Sequence, residues 1–415
     1  MERVETDRIG SCTLAAAALY GIATARAAEN FDLSGRKLSD APALISALGR
    51  IKRAAALANA ELGALNHERS QAIVAACDEV IAGRHHAQFI VNLLEGSGGT
   101  STNMNANEVI ANRALQILGR APGDYNALHP NDHVNAGQST NDVVPAAIKL
   151  AILEASPALT DALGQLAEAF SERAEEFAHV LKVGRTCMQA AQPITLGQEF
   201  GGYAAGIERA RYSCQRVVED LTILPLGGTA IGTGLGARPG FRQAIFRHLS
   251  TDLGISLDPP TDSFDAMQNA DTFARVSAEH RIAAELIGKI SLDLVVLSSG
   301  AASGIGEIRL PMVQAGSSIM PGKVNPVLPM MMQQVAFAAH GNDASIALAC
   351  MNGQLEINPF EPLIAARILE TMELLTRGCR LFASRCVTGI EANEAVAKEN
   401  LLRSSALATA REIVL

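Results

Sequence analysis

The residues best suited to chemistry lie in one eleven-residue stretch, residues 316–326, with the sequence GSSIMPGKVNP. Glycine lets a backbone move and approach a ligand, and proline fixes φ, so this mixture is typical of a mobile loop with rigid ends. The ammonium group of Lys323 and the backbone amides of the Gly-Ser-Ser run suit a bound carboxylate. The stretch also fits a simple turn between two helices, with Asn325 as N-cap and Pro326 as the first helical residue.

A phosphate-binding loop is excluded for this stretch. In that motif four residues separate the glycines, and the Ser or Thr that follows the lysine binds magnesium. Here five residues separate Gly316 from Gly322, and Val324 follows Lys323.

Three further polar stretches lie at residues 95–105, 129–142 and 184–189. In the first, the hydroxyl side chains and Asn103 exceed what an N-cap needs. Free N–H groups at a helix start predicted near Ala106 would make a natural anion site. In the second, the histidines are either general acid/base groups, because histidine titrates near neutrality, or groups that hold the loop.

Two other motifs are not predicted to bind a metal or a nucleotide. His85 and His86 follow the end of a helix predicted from Asn66 to Ala82, where histidines more often face solvent or pair with the helix dipole. The glycine-rich residues 227–234 lack the preceding strand and the downstream acid of a dinucleotide site.

The composition limits the partners of the chain. Of the 415 residues, 48% are hydrophobic and only 4% are aromatic, which suggests a large core of closely packed helices. The net charge of −9 argues against nucleic acid or an anionic membrane as the main partner. A small anion still fits, because local cations can outweigh the overall charge.

The seven cysteines are odd in number, and no pair has C-x-x-C spacing. This pattern predicts neither a disulfide framework nor a zinc site, and it favours reduced thiols in the cytoplasm. The polar, acidic start predicts no signal peptide. No uninterrupted apolar run approaches the roughly 18 residues that a membrane helix needs.

Long helices are predicted to position the four polar stretches. Residues 143–225 and 265–390 show helical patterns with few breakers, and a shorter helix is predicted from Ser39 to Leu62. Residues 1–40 look loop-like, and β-α-β alternation does not occur. Because a helical bundle brings loops together at its ends, we expect the polar stretches to meet, within one chain or across an oligomer.

These four stretches together resemble the fumarase/aspartase superfamily. The run from Gly316 to Pro326 matches the signature loop of that superfamily throughout, and the resemblance extends from about Gly10 to Ile390. Within the superfamily the chain most resembles the aspartate ammonia-lyase branch, because Thr140, in the run QSTND, stands where fumarases usually have Ser. Class II fumarases are the second most similar branch.

The resemblance implies an all-α fold with a central bundle of long helices at residues 136–388. Smaller domains are implied at residues 1–135 and 389–415. The last of these looks incomplete, because Ala410 and Arg411 join segments that lie far apart in the family. The resemblance also implies a homotetramer whose active sites form where three subunits meet.

The implied reaction is a reversible elimination from a small dicarboxylate, with no cofactor or metal. A base removes the proton next to a carboxylate, an aci-carboxylate dianion forms, and ammonia or water leaves. Ser317 matches the family's base, and Lys323 and Asn325 match carboxylate-binding positions. The other positions that match substrate-binding residues are Thr100, Ser101, Asn103, Ser139, Thr140, Asn141, Thr186, Cys187 and Ser318. His129 and Asn131 match a secondary carboxylate site of fumarases.

Two departures from the family concern the leaving group. Cys187 stands where fumarases have His and aspartases have His or Gln, and Met330 stands where an acidic partner for that His is common. A thiol is only a weak donor, so Cys187 cannot replace a cationic histidine. The pair indicates a relaxed leaving-group pocket, altered substrate choice or weakened activity; Cys187 also fits a buried filler.

The preferred function is therefore elimination of ammonia from L-aspartate to give fumarate. The alternatives are fumarate hydration to L-malate, a related amine or succinyl lyase, and a weakly active homologue kept as a structural protein, since fold does not imply function.

Overall fold

Helices account for most of the chain in the computed structural model, which describes residues 2–300, 303–316, 319–320 and 323–407. The helices are α1 (Ile22–Asn30), α2 (Pro42–Glu61), α3 (His67–Ile81), α4 (Thr100–Ile117), α5 (Thr140–Glu176), α6 (Leu196–Val217), α7 (Phe241–Leu253), α8 (Ser263–Gln268), α9 (Asp271–Leu297), α10 (Val327–Met351), α11 (Glu361–Arg385) and α12 (Glu394–Arg403).

The strands form three separate antiparallel pairs, so no larger sheet occurs in the described part of the chain. The pairs are β1 (Glu2–Thr6) with β2 (Ser11–Ala15), β3 (Leu181–Thr186) with β4 (Gln189–Thr195), and β5 (Ile308–Arg309) with β6 (Glu391–Ala392). The prediction of an all-α fold built on long helices is confirmed.

Helices α2 and α3 form where the sequence predicts them. Ile45, Leu48 and Ile51 recur on one face of α2 and are fully buried, as the helical period requires. Helix α3 begins after Asn66, whose side-chain oxygen accepts a hydrogen bond of 2.9 Å from the Arg69 amide. This is an ordinary N-cap, which satisfies one of the free N–H groups of the first turn.

Helix α5 is long and apolar enough to cross a membrane, judged by length and composition alone. The criterion of an uninterrupted apolar run missed it, because polar residues interrupt the helix. Of its most apolar window, 67% is buried inside the protein, and a buried core helix meets the same test. The finding is therefore weak evidence for a membrane.

The chain divides into two compact units. The first unit comprises Met1–Ala155, Val218–Arg275 and Ala344–Leu369, and the second comprises Ser156–Val217, Val276–Asp343 and Glu370–Leu415. The domain boundaries implied by the family resemblance, near residues 135 and 388, stay a prediction.

The first 40 residues are not loop-like, because they form the β1–β2 hairpin and helix α1. Distant side chains hold them in place. Both carboxylate oxygens of Glu108 accept hydrogen bonds from backbone amides at the start of α1, those of Gly21, Ala23 and Thr24, at 2.8–3.1 Å. Since Glu108 follows some 85 positions later, local sequence patterns do not reveal this cap.

Three polar stretches also differ locally from their predictions. Helix α4 begins at Thr100 rather than near Ala106, and residues 181–195 form the β3–β4 hairpin rather than a plain helix interruption. Helix α10 begins at Val327, so Pro326 directly precedes the helix instead of opening it.

Candidate active site

Helices α4 and α5 begin side by side in the first unit. Gly99, the N-cap of α4, has a φ of 90°, and a Cβ added to it would lie 3.0 Å from the Val144 side chain. Only glycine therefore allows this approach. Across the gap, the Asn103 side-chain amide donates to the Thr140 hydroxyl at 3.2 Å. The structure thus joins the first two polar stretches.

A capping box sets the start of α5. The Ser139 hydroxyl accepts from the Asn141 amide at 3.3 Å, and the Asp142 carboxylate accepts from the Ser139 amide at 2.9 Å. The same carboxylate accepts from the Gly227 and Thr229 amides, each at 3.0 Å. Gly227 and Thr229, within the glycine-rich residues 227–234, therefore hold the start of α5 in place. This structural role agrees with the prediction that these residues do not bind a nucleotide.

Lys52 is a member of this cluster that sequence reasoning missed. It is fully buried, and its ammonium donates to the Asn135 side-chain oxygen at 2.7 Å. The Asn103 amide donates to the same oxygen at 3.2 Å. The sequence does contain one signal for Lys52, which lies within the apolar face of α2. A lysine there indicates a polar partner nearby, because lysine is almost never fully buried without one.

Burial shifts the pKa values of the two buried charged groups, Lys52 and Asp142, in opposite directions. Burial lowers the pKa of Lys52 to about 7, and the nearby Asp142 carboxylate opposes that shift. Burial raises the pKa of Asp142 to about 6, although three backbone amides and Lys52 stabilise its charged form. Perturbed groups beside polar loops are typical of functional sites.

The histidines of residues 129–142 hold their own loop. The Nδ1 atom of His129 accepts from the Asn131 and Asp132 amides at 3.2 and 3.3 Å, and the Nδ1 atom of His133 accepts from the His129 amide at 2.7 Å. Burial also lowers the pKa of His133. These bonds favour the structural interpretation over acid/base chemistry. The secondary carboxylate site at His129 and Asn131 stays a prediction.

His85 and His86 likewise have structural partners. The Nε2 atom of His85 lies 2.6 Å from the Glu79 carboxylate, and that of His86 lies 2.9 Å from the Val80 carbonyl oxygen near the end of α3. The second contact is the predicted pairing with a helix C-terminus.

Thr186 and Cys187 lie at the tip of the β3–β4 hairpin in the second unit. Thr186 pairs with Gln189, so Cys187 and Met188 form a two-residue turn with φ values of 50° and 62°. Two positive φ angles define a type I′ turn, which normally requires Asn and Gly. Cys187 is exposed, so it is not the buried filler that the sequence left open.

A buried charge cluster anchors this hairpin. The Arg185 guanidinium donates to both oxygens of Glu307 at 2.7 and 3.1 Å, and Lys182 contacts Glu307 at 3.2 Å and Glu199 at 2.5 Å. Burial alone would raise the pKa of Glu307, but Arg185 and Lys182 hold it below its ordinary value. Glu307 lies in the segment that leads into the signature loop, so the cluster ties that segment to the hairpin.

The ends of the signature loop meet closely in the second unit. A Cβ added to Gly316 would collide with the Lys323 carbonyl oxygen, so this position requires glycine. Lys323 and Asn325 line a cavity of about 740 Å³, together with Ser298, Arg309 and Asn393. Ser317 and Ser318 lie outside the described residues.

The predicted site residues therefore fall into two sets. Thr100, Ser101, Asn103, Ser139, Thr140 and Asn141 lie in the first unit, at the starts of α4 and α5. Thr186, Cys187, Lys323 and Asn325 lie in the second unit. Among the described residues, no hydrogen bond joins the hairpin tip to Lys323 or Asn325.

Comparison with known proteins identifies the family. The family described as Lyase matches residues 10–341. The chain is 44% identical over 408 residues to an aspartate ammonia-lyase of Helicobacter pylori, covering 98% of this chain and 87% of that one. It is 46% identical over 409 residues to an aspartate ammonia-lyase of Pseudomonas aeruginosa, covering 98% and 86%.

Solved structures of lyases also match the fold of this chain. A fumarate lyase:delta crystallin from Brucella melitensis bound to cobalt matches with a TM-score of 0.98 and 47% identity, covering 100% of this chain and 90% of that chain. A class II fumarase from Schistosoma mansoni matches with a TM-score of 0.94 and 35% identity, covering 99% and 89%. With the signature loop, the paired helix starts and these matches together, the chain belongs to the fumarase/aspartase superfamily of lyases.

Proposed function

We propose that this chain eliminates ammonia from L-aspartate to give fumarate. The observation that carries the proposal is its 41–46% identity, over 98% of its length, to several aspartate ammonia-lyases. In this reaction a base removes the proton next to a carboxylate, and the second negative charge that develops must be stabilised by donors and cations already in place.

The roles follow the predicted residues. Ser317 is the base, and Lys323 with Asn325 holds a substrate carboxylate. The Lys323 ammonium forms no ion pair with any residue that the structure describes, so its charge is available to a ligand. The remaining contacts to the substrate come from Thr100, Ser101, Asn103, Ser139, Thr140, Asn141, Thr186, Cys187 and Ser318.

The hairpin tip sets the leaving-group pocket. Cys187 is exposed, and its thiol offers neither a cation nor a strong donor. A pocket of this kind activates a water-derived leaving group poorly. It therefore fits an amine eliminator better than a hydratase.

We also propose that the chain acts as a cytoplasmic homotetramer whose active sites combine loops of three subunits, without a nucleic-acid or membrane partner. Helix α10 supports the oligomer. It exposes side chains on one face, at intervals of four, three, seven, four and three residues that fit the positions of a coiled-coil seam: Met330, Gln334, Phe337, Ala344, Leu348 and Met351. We call these residues the α10 seam. Phe337 is 70% exposed in the single chain. Contact of this large apolar side chain with water is unfavourable unless another subunit covers it.

Fumarate absorbance tests the function directly. Purified protein is given L-aspartate or L-malate, with the Ser317→Ala variant as the control for contaminating activity. Fumarate from L-aspartate alone supports the proposal. Fumarate from L-malate alone would establish a hydratase instead, and no signal from either substrate, or from fumarate with ammonia, would indicate another substrate or an inactive homologue.

A further inference from the structure

The hydrogen-bond ladder of the β3–β4 hairpin is interrupted below its tip. The register shifts between Val183 and Arg185, and Pro193, opposite Val183, has no amide proton to donate. Only two residue pairs continue the ladder beyond the shift. Residues 186–190 are exposed, so packing within the chain holds them weakly. Strand pairing and packing by themselves therefore leave the direction of the tip poorly determined.

Arg185, which directly precedes Thr186, holds the tip from the side. Its guanidinium donates to both oxygens of Glu307 at 2.7 and 3.1 Å, and to the Val183 carbonyl oxygen, across the register shift, at 3.3 Å. A bidentate pair of this kind fixes the relative orientation of the two planar groups as well as their distance. The Glu307 side chain is fully buried, so water does not compete for the pair. The direction of the tip thus depends on where Glu307 lies.

Glu307 is itself a fixed point. Its backbone carbonyl accepts from the Asn393 amide at 2.8 Å, and its backbone amide donates to the Leu297 carbonyl oxygen at 3.0 Å. Its carboxylate also accepts from the Asn400 side chain at 3.1 Å and contacts Lys182 at 3.2 Å. These partners come from the end of α9, from α12 with its N-cap, and from β3. Three elements therefore hold the residue to which the hairpin tip is tied.

The cluster around Glu307 is balanced in charge. Arg185 and Lys182 supply two cations, and Glu307 and Glu199 supply two carboxylates. Loss of one charge from a buried cluster leaves another charge uncompensated, which is strongly destabilising. A variant that tests the geometry of the cluster should therefore keep the charge of the residue that it replaces.

We propose that Glu307, acting through Arg185, sets the position of Thr186 and Cys187 at the amino leaving group and thereby the affinity for ammonia. Glu307 is a positioning residue in this arrangement, because only the hairpin tip contacts the ligand. The Thr186 hydroxyl is exposed and can accept a hydrogen bond from an amine. The inference deepens the proposed function and rests on it for the identity of the leaving group.

The reverse reaction tests the inference, because ammonia and fumarate are then separate substrates. The KM for each is measured at a saturating concentration of the other, from the loss of fumarate absorbance. Arg185→Lys keeps the charge of the cluster but replaces the planar fork by a single ammonium. We expect the KM for ammonia to rise about fivefold, since one hydrogen bond contributes roughly that much. The KM for fumarate should stay close to the wild-type value.

Glu307→Gln should act in the same direction and more strongly, because a side-chain amide cannot accept from the guanidinium with both of its polar atoms. This variant also removes a buried charge, so it should lower the temperature of thermal unfolding. If Glu307→Gln does not fold, Arg185→Lys decides the question alone.

Arg113→Lys is the matched control, because Arg113 forms a bidentate pair with Glu79, at 2.6 and 2.9 Å, outside the hairpin. Both of its KM values should equal those of the wild type. An unchanged KM for ammonia in Arg185→Lys would overturn the inference. An equal rise of both KM values, or a loss of kcat alone, would overturn it too, because a purely structural role predicts these results. The proposed function fails separately, if the wild type produces no fumarate from L-aspartate.

Discussion

His280, in α9, is a fully buried histidine whose two ring nitrogens have no hydrogen-bond partner among the described residues. An unpaired polar group in a core is costly to charge, and burial lowers the pKa of His280 from 6.5 to about 4. Well above pH 6.5 the ring is neutral in both the folded and the unfolded chain. As the pH falls towards 4, the unfolded chain takes up a proton that the folded chain does not, so the free energy of unfolding decreases.

This histidine should make the protein sensitive to acid. Between pH 7 and pH 4.5 it should remove about 2 kcal/mol from the free energy of unfolding, and His280→Leu, of similar size, should abolish that part of the loss. Urea unfolding of both proteins at both pH values, at one protein concentration, measures the difference. An identical pH dependence in the two proteins would show that His280 is not responsible.

Lys323 is the residue that we propose holds a substrate carboxylate. Lys323→Ala should lower kcat/KM for L-aspartate by about ten- to a hundredfold, because it removes a charge-assisted hydrogen bond to the substrate. Steady-state kinetics of fumarate release measure the change. Lys398→Ala, at an exposed lysine of α12, is the matched control and should behave as the wild type. Unchanged kinetics in Lys323→Ala would remove Lys323 from the site.

At the scale of elements, the β3–β4 hairpin combines a strained turn with a buried anchor. Cys187 and Met188 both have positive φ, which costs a residue with a side chain about 1 kcal/mol or more. The Arg185–Glu307 pair holds the hairpin close to the turn, and Lys182 holds it near its base. The turn can keep unfavourable residues because the strands around it are firmly fixed.

Relief of the turn should therefore stabilise the protein. Met188→Gly should raise the free energy of unfolding by about 1 kcal/mol, because glycine adopts a positive φ without strain. Ala190→Gly, in the adjacent strand, should instead lower it by about half that amount. Denaturant unfolding measures both changes. Destabilisation by Met188→Gly would mean that the methionine side chain contributes more than its backbone strain costs.

Elements also separate what local patterns reveal from what they do not. Helices α2 and α3 are evident in the sequence, because an apolar period and a cap such as Asn66 lie within the segment itself. The sequence predicts the start of α4 six residues too late, because Glu95 and Ser97 accept hydrogen bonds from amides of its first turn from outside the helix. The pairing of the β1–β2 hairpin is local, but its strands consist mostly of polar or exposed residues, so they lack the apolar alternation that predicts a strand.

At the scale of the whole molecule, the α10 seam predicts an obligate assembly. A seven-residue repeat of exposed side chains, apolar at every position of the seam except Gln334, favours packing against a helix of another subunit. Phe337→Glu would place a charge in that interface. It should reduce the oligomer to smaller species, measured by analytical ultracentrifugation, and activity should fall with assembly, because the proposed active sites combine loops of several subunits.

Leu33→Glu is the control for this prediction, because Leu33 is 76% exposed but lies outside α10. The control should keep the wild-type mass. A tetramer that persists in Phe337→Glu would show that the α10 seam is not an interface.

The sequence by itself determined the fold class, the family and the signature loop with Lys323 and Asn325. Helical periodicity and contiguous motifs are local properties, so they can be read without coordinates. Tertiary structure alone decided that Lys52 and Asp142 lie buried beside Asn103 and Thr140. It also decided that Glu95 and Ser97 accept hydrogen bonds from amides at the start of α4, where local patterns predict free N–H groups. Burial and hydrogen-bond direction depend on which groups meet in space, and the folded chain brings these groups together.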